Sequence, residues 1–180
     1  MYSIHAYEMN TTTTTTQQEQ NAAILAQVAS KCIRTRIKRE IEKMYPLYNQ
    51  IIASFTADGE LQVAVRNVED GFVQKYDFIV GENYPFNRPK IFYQNRKYWE
   101  FLRGRHANLQ TLKKVTGKDC LCCSSFHCND NWGPGNTLIH IIDEIRRIKQ
   151  QKRAIINKLL ADKIKARHLI VDIDLDSWLF

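Results

Sequence analysis

The pattern of hydrophobic and polar positions along the chain has two periods, one typical of helices and one typical of strands. The first helical pattern lies within residues 22–48, where apolar side chains recur at i, i+4, i+8 and i+11. Its members are Ile33, Ile37, Ile41 and Met44. The pattern predicts an amphipathic helix that ends near Pro46, because a proline disfavours helical backbone in the residue before it.

Alternation with period two begins after this helix and continues to residue 94. Four short runs are separated by turn-forming residues: 50–56, 60–67, 72–80 and 90–94. Gly59 and Gly71 mark the first two turns, and a proline-containing loop over 81–89 joins the last two runs. The pattern predicts a four-stranded antiparallel meander after an N-terminal helix, which is an α+β fold.

A second helical pattern occupies residues 136–167 and predicts one long C-terminal helix or two consecutive helices, with Asn136 as the N-cap. Its core-facing stripe comprises Leu138, Ile141, Ile142, Ile145, Ile148, Ile155, Ile156, Leu159 and Ile164. Residues 95–116, before it, mix basic and aromatic side chains. We interpret them as a surface helix or loop rather than a nucleic-acid site, because no recognition motif accompanies them.

The two ends of the chain differ from the segments between them. Residues 1–21 are rich in threonine and glutamine and lack an apolar period, so burial cannot repay their ordering, which predicts a disordered tail. Residues 171–180 alternate acidic and apolar side chains and form either an added strand or a tail that docks a partner. The predicted core domain is therefore 22–170.

Composition limits the size, location and partners that the chain can have. A chain of 180 residues with 44% apolar and 25% charged residues is typical of one globular domain. No apolar run approaches the roughly 20 residues that span a bilayer, and no secretory signal pattern opens the chain, so no membrane association is expected. The net charge of +7 favours an acidic partner. Five cysteines, an odd number with four of them clustered in one segment, favour the reducing cytoplasm or nucleus.

Candidate chemistry concentrates in residues 117–138, the cysteine-rich segment. It holds four of the five cysteines: Cys120, Cys122, Cys123 and Cys128. Such a concentration is compatible with a thiolate nucleophile, a metal cluster or a disulfide knot.

Three motifs, taken in order, resemble those of ubiquitin-conjugating enzymes. Residues 84–91, Y-P-F-N-R-P-K-I, resemble that family's Y-P-F-x-P-P-K-[VI], with Arg88 in place of the first paired proline. Residues 117–121, G-K-D-C-L, resemble its G-x-[IV]-C-L around the catalytic cysteine. Residues 132–138, W-G-P-G-N-T-L, resemble the W-[ST]-P-x-x-[TS]-[IL] that opens the following helix. The resemblance covers roughly residues 31–150.

This resemblance implies the ubiquitin-conjugating fold and a specific chemistry. Cys120 would accept ubiquitin, or a ubiquitin-like modifier, as a thioester from an activating enzyme and pass it to substrate lysines. Asn108, in His106-Ala107-Asn108-Leu109, would donate a hydrogen bond to the oxyanion. No cofactor is implied, because the activating enzyme uses the ATP.

Departures from the family pattern keep alternatives open. Asn108 lies twelve residues before Cys120, further than usual, and a rival register places Trp99-Glu100-Phe101 at that turn, with no asparagine. The segment between Cys120 and Trp132 is also longer than usual. A catalytically inactive relative that binds ubiquitin or a ligase non-covalently is therefore the alternative, and a basic zinc- or nucleic-acid-binding module is a third.

The same resemblance implies two partner surfaces. Arg34, Lys38 and Arg39 on the first helix match the family's basic face for the activating enzyme, although a solvated helix face has the same charge pattern. Phe86 and Pro134 correspond to the two loops that contact RING-type ligases.

Zinc is the other use for the cysteines. Cys122, Cys123, His127 and Cys128 supply four soft ligands and would leave Cys120 free. The spacing lacks two separated C-x-x-C pairs, so we expect no metal and interpret Cys122 and Cys123 as small hydrophobic side chains.

Overall fold

A computed structural model describes residues 4–102, 113, 117, 122 and 125–165 of the chain. The chain divides into two compact units, Met1–Asn95 and Arg96–Phe180, where the sequence predicted one core domain over 22–170. The predicted C-terminal extension, 171–180, lies outside the described residues and stays a prediction.

The first unit contains two helices followed by an antiparallel meander. The elements are α1 (Ile4–Ala26), α2 (Lys31–Met44), β1 (Gln50–Phe55), β2 (Leu61–Glu69), β3 (Phe72–Val80) and β4 (Lys90–Tyr93). The strands pair in sequence order, with Ala53 opposite Val63, Val63 opposite Phe78 and Phe78 opposite Ile91. The four-stranded meander is therefore confirmed within about two residues at each strand end.

The second unit begins with a two-residue strand and is dominated by one long helix. Its elements are β5 (Arg96–Lys97), α3 (Tyr98–Leu102), a short 3-10 helix (Asn129–Asn131) and α4 (Leu138–Lys165). The sheet order is β1-β2-β3-β4-β5, so the described residues form an α+β fold with one antiparallel sheet of five strands. None of the helices described is long and apolar enough to cross a membrane.

Both predicted apolar stripes are buried. The four stripe residues of α2 belong to the core of the first unit, and the α4 stripe is buried from Leu138 to Ile156. The prediction fails at the end of α4, where Ile164 is 73% exposed. The predicted N-cap was also one residue early: His140 N donates to Thr137 Oγ1, and Thr137 N donates back to His140 Nδ1, both at 3.3 Å.

The predicted N-terminal tail contains the helix α1. The carboxamide of Asn21 explains why its last turns are ordered: Nδ2 donates to Ile51 O at 2.7 Å, and Ala53 N donates to Oδ1 at 2.8 Å. Asn21 is only 1% exposed, and Leu25 is buried beside it. This pair of hydrogen bonds satisfies backbone groups on the open edge of β1, which otherwise lack a strand partner.

Candidate functional site

The described part of the cysteine-rich segment runs from Ser125 to the start of α4, together with Gly117 and Cys122. Cys120, Cys123 and the predicted oxyanion donor Asn108 lie outside the described residues. Cys122 is exposed, so it does not lie in a core as its interpretation as a small hydrophobic side chain expected. The rival register for the active-site turn falls on α3, where Trp99 is partly exposed and Phe101 is buried.

A buried carboxylate on α4 fixes the end of this segment. Glu144 is 6% exposed, and its Oε1 accepts from the hydroxyls of Tyr98, at 2.5 Å, and Ser125, at 2.6 Å. The backbone N–H of Phe126 donates to both carboxylate oxygens, at 3.2 and 3.0 Å. One side chain therefore links α3, the cysteine-rich segment and α4 within the second unit.

The surroundings of Glu144 continue this network. Ser125 is fully buried, and its Oγ also accepts from His127 N at 3.0 Å. Burial, reinforced by the neighbouring charge of Glu144, raises the pKa of Tyr98 far above its usual range. Tyr98 therefore remains a neutral hydrogen-bond donor at any physiological pH.

The chain after Ser125 is held by short-range contacts up to the turn that precedes α4. Asn131 Nδ2 donates to Ser125 O at 3.0 Å, and the Phe126 and Trp132 rings meet edge to face with centroids 6.0 Å apart. Pro134, a predicted ligase contact, is exposed in the turn that follows. This part of the segment is thus a folded structure with one exposed face.

Eight residues along α4, a buried lysine holds the other end of α3. Lys152 Nζ donates to Phe101 O and lies 3.9 Å from the centroid of the Phe101 ring. Lys152 is 1% exposed, and burial lowers its pKa to about 7. A carboxylate and an amine on one helix therefore clamp the short helix α3.

The described residues give no support to a metal centre. One member of the predicted ligand set, Cys123, lies outside them. Among them, no three His, Cys, Asp or Glu side chains are grouped closely enough to hold a metal ion. His127 is half-buried with its ring edge-on to that of Tyr98, and Cys128 Sγ lies 4.0 Å from Asp130 Oδ2. The four-ligand zinc site includes Cys123 and stays an alternative.

The predicted docking face on α2 contains three cations that differ in their contacts. Arg34 Nη1 donates to Ala26 O at 3.3 Å, so Arg34 caps the last residue of α1. Lys38 lies 3.9 Å from Glu42, and both side chains are mostly exposed. Arg39 is exposed and has no hydrogen bond or ion pair within the described part of the chain.

These cations border a groove of about 540 Å³ between α1 and α2. Ala22, Leu25 and Ala26 of α1 form one wall, and Ile41 of α2 lies in the other. The sequence predicted the basic face but not this second wall, because the predicted apolar stripe begins only at Ile33, after Ala22, Leu25 and Ala26.

The proline-containing loop is anchored by a second buried glutamate. Glu40 on α2 is 3% exposed, and its Oε1 accepts from Tyr84 OH at 2.6 Å and from Arg36 Nε at 2.5 Å. The Tyr84–Pro85 peptide bond is cis, and Phe86 beyond it is 70% exposed. The predicted ligase-contact residue is therefore a large apolar side chain in water on an anchored loop.

Sequence reasoning missed both buried glutamates, although a signal was present. Glu40 lies three residues after Ile37, and Glu144 lies three residues after Ile141, so each falls on an apolar helix stripe. A carboxylate at a core-facing position needs hydrogen-bond donors, which would have predicted a polar network at both places.

Comparison with known proteins assigns no family to the chain. No family model matches it, and neither the curated proteins nor the solved structures contain a match. Its function must be argued from its own residues.

Proposed function

We propose that this chain is a divergent ubiquitin-conjugating enzyme, with Cys120 as the thioester acceptor. The observation that carries the proposal is the agreement between two of the three motifs and the elements on which they fall, with the third motif between them in sequence. The Y-P-F motif lies in the loop between β3 and β4, and W-G-P-G-N-T-L ends at the first residue of α4. The G-K-D-C-L motif lies between them, as the resemblance requires.

The proposed reaction is two successive acyl transfers. In the first, the Cys120 thiolate attacks the thioester carbonyl of ubiquitin on the activating enzyme, a new C–S bond forms, and the activating enzyme's thiolate leaves. In the second, a substrate lysine amine attacks the Cys120 thioester. A C–N bond forms, the amine loses a proton, and the Cys120 thiolate leaves. Asn108 would stabilise the oxyanion in these steps, a contribution typically of about 3 kcal/mol.

The partner surfaces of the proposal are supported by exposure and charge. Arg39 offers an exposed cation beside the α1–α2 groove, with no ion pair to any described residue, which favours an acidic face on the activating enzyme. Phe86 and Pro134 are exposed, as ligase contacts need to be, and RING-type ligases are the partners that the resemblance implies. No nucleic acid is part of this proposal.

Thioester charging tests it. Incubated with ATP, activating enzyme and ubiquitin, the protein should gain one ubiquitin through a bond that thiol reductants cleave. Cys120→Ser should abolish this adduct or replace it with a reductant-resistant oxyester, because a serine hydroxyl is a poor nucleophile at neutral pH. Cys32→Ser is the matched control, since Cys32 is exposed on α2, far from the motif in sequence, and should still charge.

Other results of these experiments would favour a different function or a different nucleophile for this chain. Ubiquitin binding with no covalent adduct from any modifier would replace the proposal with the non-catalytic relative. Stoichiometric zinc with no thioester would favour the zinc-binding module. Normal charging of Cys120→Ser together with failure of Cys122→Ser would shift the nucleophile to Cys122.

A further inference from the structure

We propose that Glu144 is a positioning residue for the cysteine-rich segment. It holds Ser125 and Phe126, shortly after Cys120 in the sequence, in place on α4, and it would act through this stretch of chain rather than on the reacting atoms. The catalytic part of this inference rests on the proposed function; the structural part does not.

Glu144 receives donors from two separate parts of the second unit. Tyr98 lies 46 residues before it and Ser125 lies 19 before it, and each gives a hydroxyl. Phe126 adds a backbone N–H, which bonds to both carboxylate oxygens. All of these donors are uncharged, and the described residues show no ion pair to Glu144, so the carboxylate depends on the geometry of its donors; the nearby charge of Arg147 acts on Tyr98.

Two adjacent residues of the segment are fixed by different groups. Ser125 is held through its side chain and Phe126 through its backbone N–H. Anchoring one side chain and the next backbone amide sets both the position and the direction of the chain at that point. Cys120 lies only five residues earlier in the sequence, so we expect movement of this anchor to displace the proposed nucleophile. A misplacement of about 1 Å can cost roughly a hundredfold in rate.

The chain offers a matched control for removal of the carboxylate. Asp143 is the neighbouring acid on α4, but it is exposed and lies 3.4 Å from Arg146, one turn away. Glu144→Ala removes the acceptor of all the bonds described above, whereas Asp143→Ala removes only a surface charge. Glu144→Gln is the conservative rescue, because its amide oxygen still accepts from Phe126 N–H and its NH₂ donates to the two hydroxyls.

Two measurements need no ubiquitin. Hydrogen exchange reports the Phe126 amide directly, and we expect Glu144→Ala to speed it by at least about tenfold, since its acceptor is lost. Alkylation resolved by mass spectrometry reports each thiol, with exposed Cys32 on α2 as the internal reference. We expect the Cys120 rate relative to Cys32 to change in Glu144→Ala and to stay unchanged in Asp143→Ala. Ser125→Ala, which removes a single donor, is the milder variant if Glu144→Ala does not fold.

The functional measurement is discharge of the charged enzyme to free lysine. We expect a fall of about tenfold or more for Glu144→Ala or Ser125→Ala, substantial recovery in Glu144→Gln, and no change in Asp143→Ala. Discharge at the wild-type rate in both damaging variants would overturn the positioning role.

The experiments distinguish failure of the proposed conjugating function from failure of the positioning role of Glu144. If the wild-type protein never charges, the proposed function is wrong, and the exchange and alkylation measurements still decide the role of Glu144. Unchanged exchange at Phe126 with unchanged relative alkylation of Cys120 would overturn it. A change confined to Glu144 and Ser125 variants would support it.

Discussion

Each unit of the molecule contains a buried glutamate that accepts a hydrogen bond from a tyrosine, but the two carboxylates are satisfied differently. Glu40 shares its oxygen between Tyr84 and the guanidinium of Arg36, a salt bridge of 2.5 Å within one helix. Glu144 is satisfied by the hydroxyls of Tyr98 and Ser125 and by a backbone N–H. The charge of Glu40 is therefore paired with a cation, whereas the donors to Glu144 among the described residues are neutral hydroxyl and amide dipoles.

The difference determines what each network can do. The Glu40 network joins a loop to a helix through local and long-range contacts, with a cation that is 28% exposed and can rehydrate when its partner is lost. The donors of the Glu144 network are two buried hydroxyls and a part-buried backbone N–H. A dipole-held carboxylate is thus more sensitive to geometry, and it lies beside the segment for which we propose chemistry.

The largest expected effect comes from removing each carboxylate in turn. Glu144→Ala leaves two buried hydroxyls with only a long contact of 3.5 Å to each other and leaves the N–H of Phe126 without its carboxylate acceptor, so we expect a loss of about 4 kcal/mol in the free energy of unfolding. Glu40→Ala leaves one buried hydroxyl, that of Tyr84, and a cation that rehydrates, so we expect about 2 kcal/mol. Urea denaturation of both variants measures the difference. Equal losses would mean that the two networks are energetically alike.

The sequence predicted the parts of the fold that follow from periodicity. The meander and both apolar stripes depend on alternation or on helical spacing, which burial enforces over many residues at once. An error in one position, such as Ile164 at the end of α4, leaves the rest of the pattern intact.

Single polar contacts could not be predicted in this way. The ordered end of α1 depends on Asn21 finding the edge of β1, some 30 residues later, and no local pattern encodes that meeting. The tyrosine partners of Glu40 and Glu144 are equally remote in sequence. The two helix positions indicate that buried carboxylates need donors, but they do not indicate which residues supply them. The proposed nucleophile and oxyanion donor, Cys120 and Asn108, remain predictions from motif resemblance.

A second, smaller effect distinguishes the second unit by its pH dependence. The pKa of Lys152 is lowered by burial to about 7, so above that pH the folded protein releases a proton that the unfolded chain keeps until about pH 10.5. The unfolded state then binds more protons, so the free energy of unfolding should rise with pH across this window. The slope approaches about 1.4 kcal/mol per pH unit at most.

Lys152→Met removes this titration while keeping an unbranched side chain of similar length. Between pH 7 and pH 9, we expect the free energy of unfolding of wild type to rise by about 2 kcal/mol more than that of the variant. Urea denaturation at matched ionic strength measures both. Parallel curves for the two proteins would mean that Lys152 keeps its proton in the fold. Measurements stop below pH 10, because tyrosines of the unfolded chain ionise there, whereas burial raises the pKa of both Tyr84 and Tyr98.

The smallest effect, and the finest test of the comparison, comes from the two tyrosine hydroxyls. Tyr84→Phe and Tyr98→Phe each remove one donor and leave the carboxylate with others, so each should cost about 1 kcal/mol of unfolding free energy. Their consequences elsewhere should differ. Tyr98→Phe leaves Ser125 and Phe126 as donors to Glu144, so discharge should fall only slightly, by less than in Ser125→Ala. Tyr84→Phe should leave discharge to free lysine unchanged, since it touches only the loop that carries Phe86. If Tyr98→Phe slows discharge as strongly as Ser125→Ala, the anchor acts through α3 as well as through the segment, and the position of α3 becomes part of the proposed site.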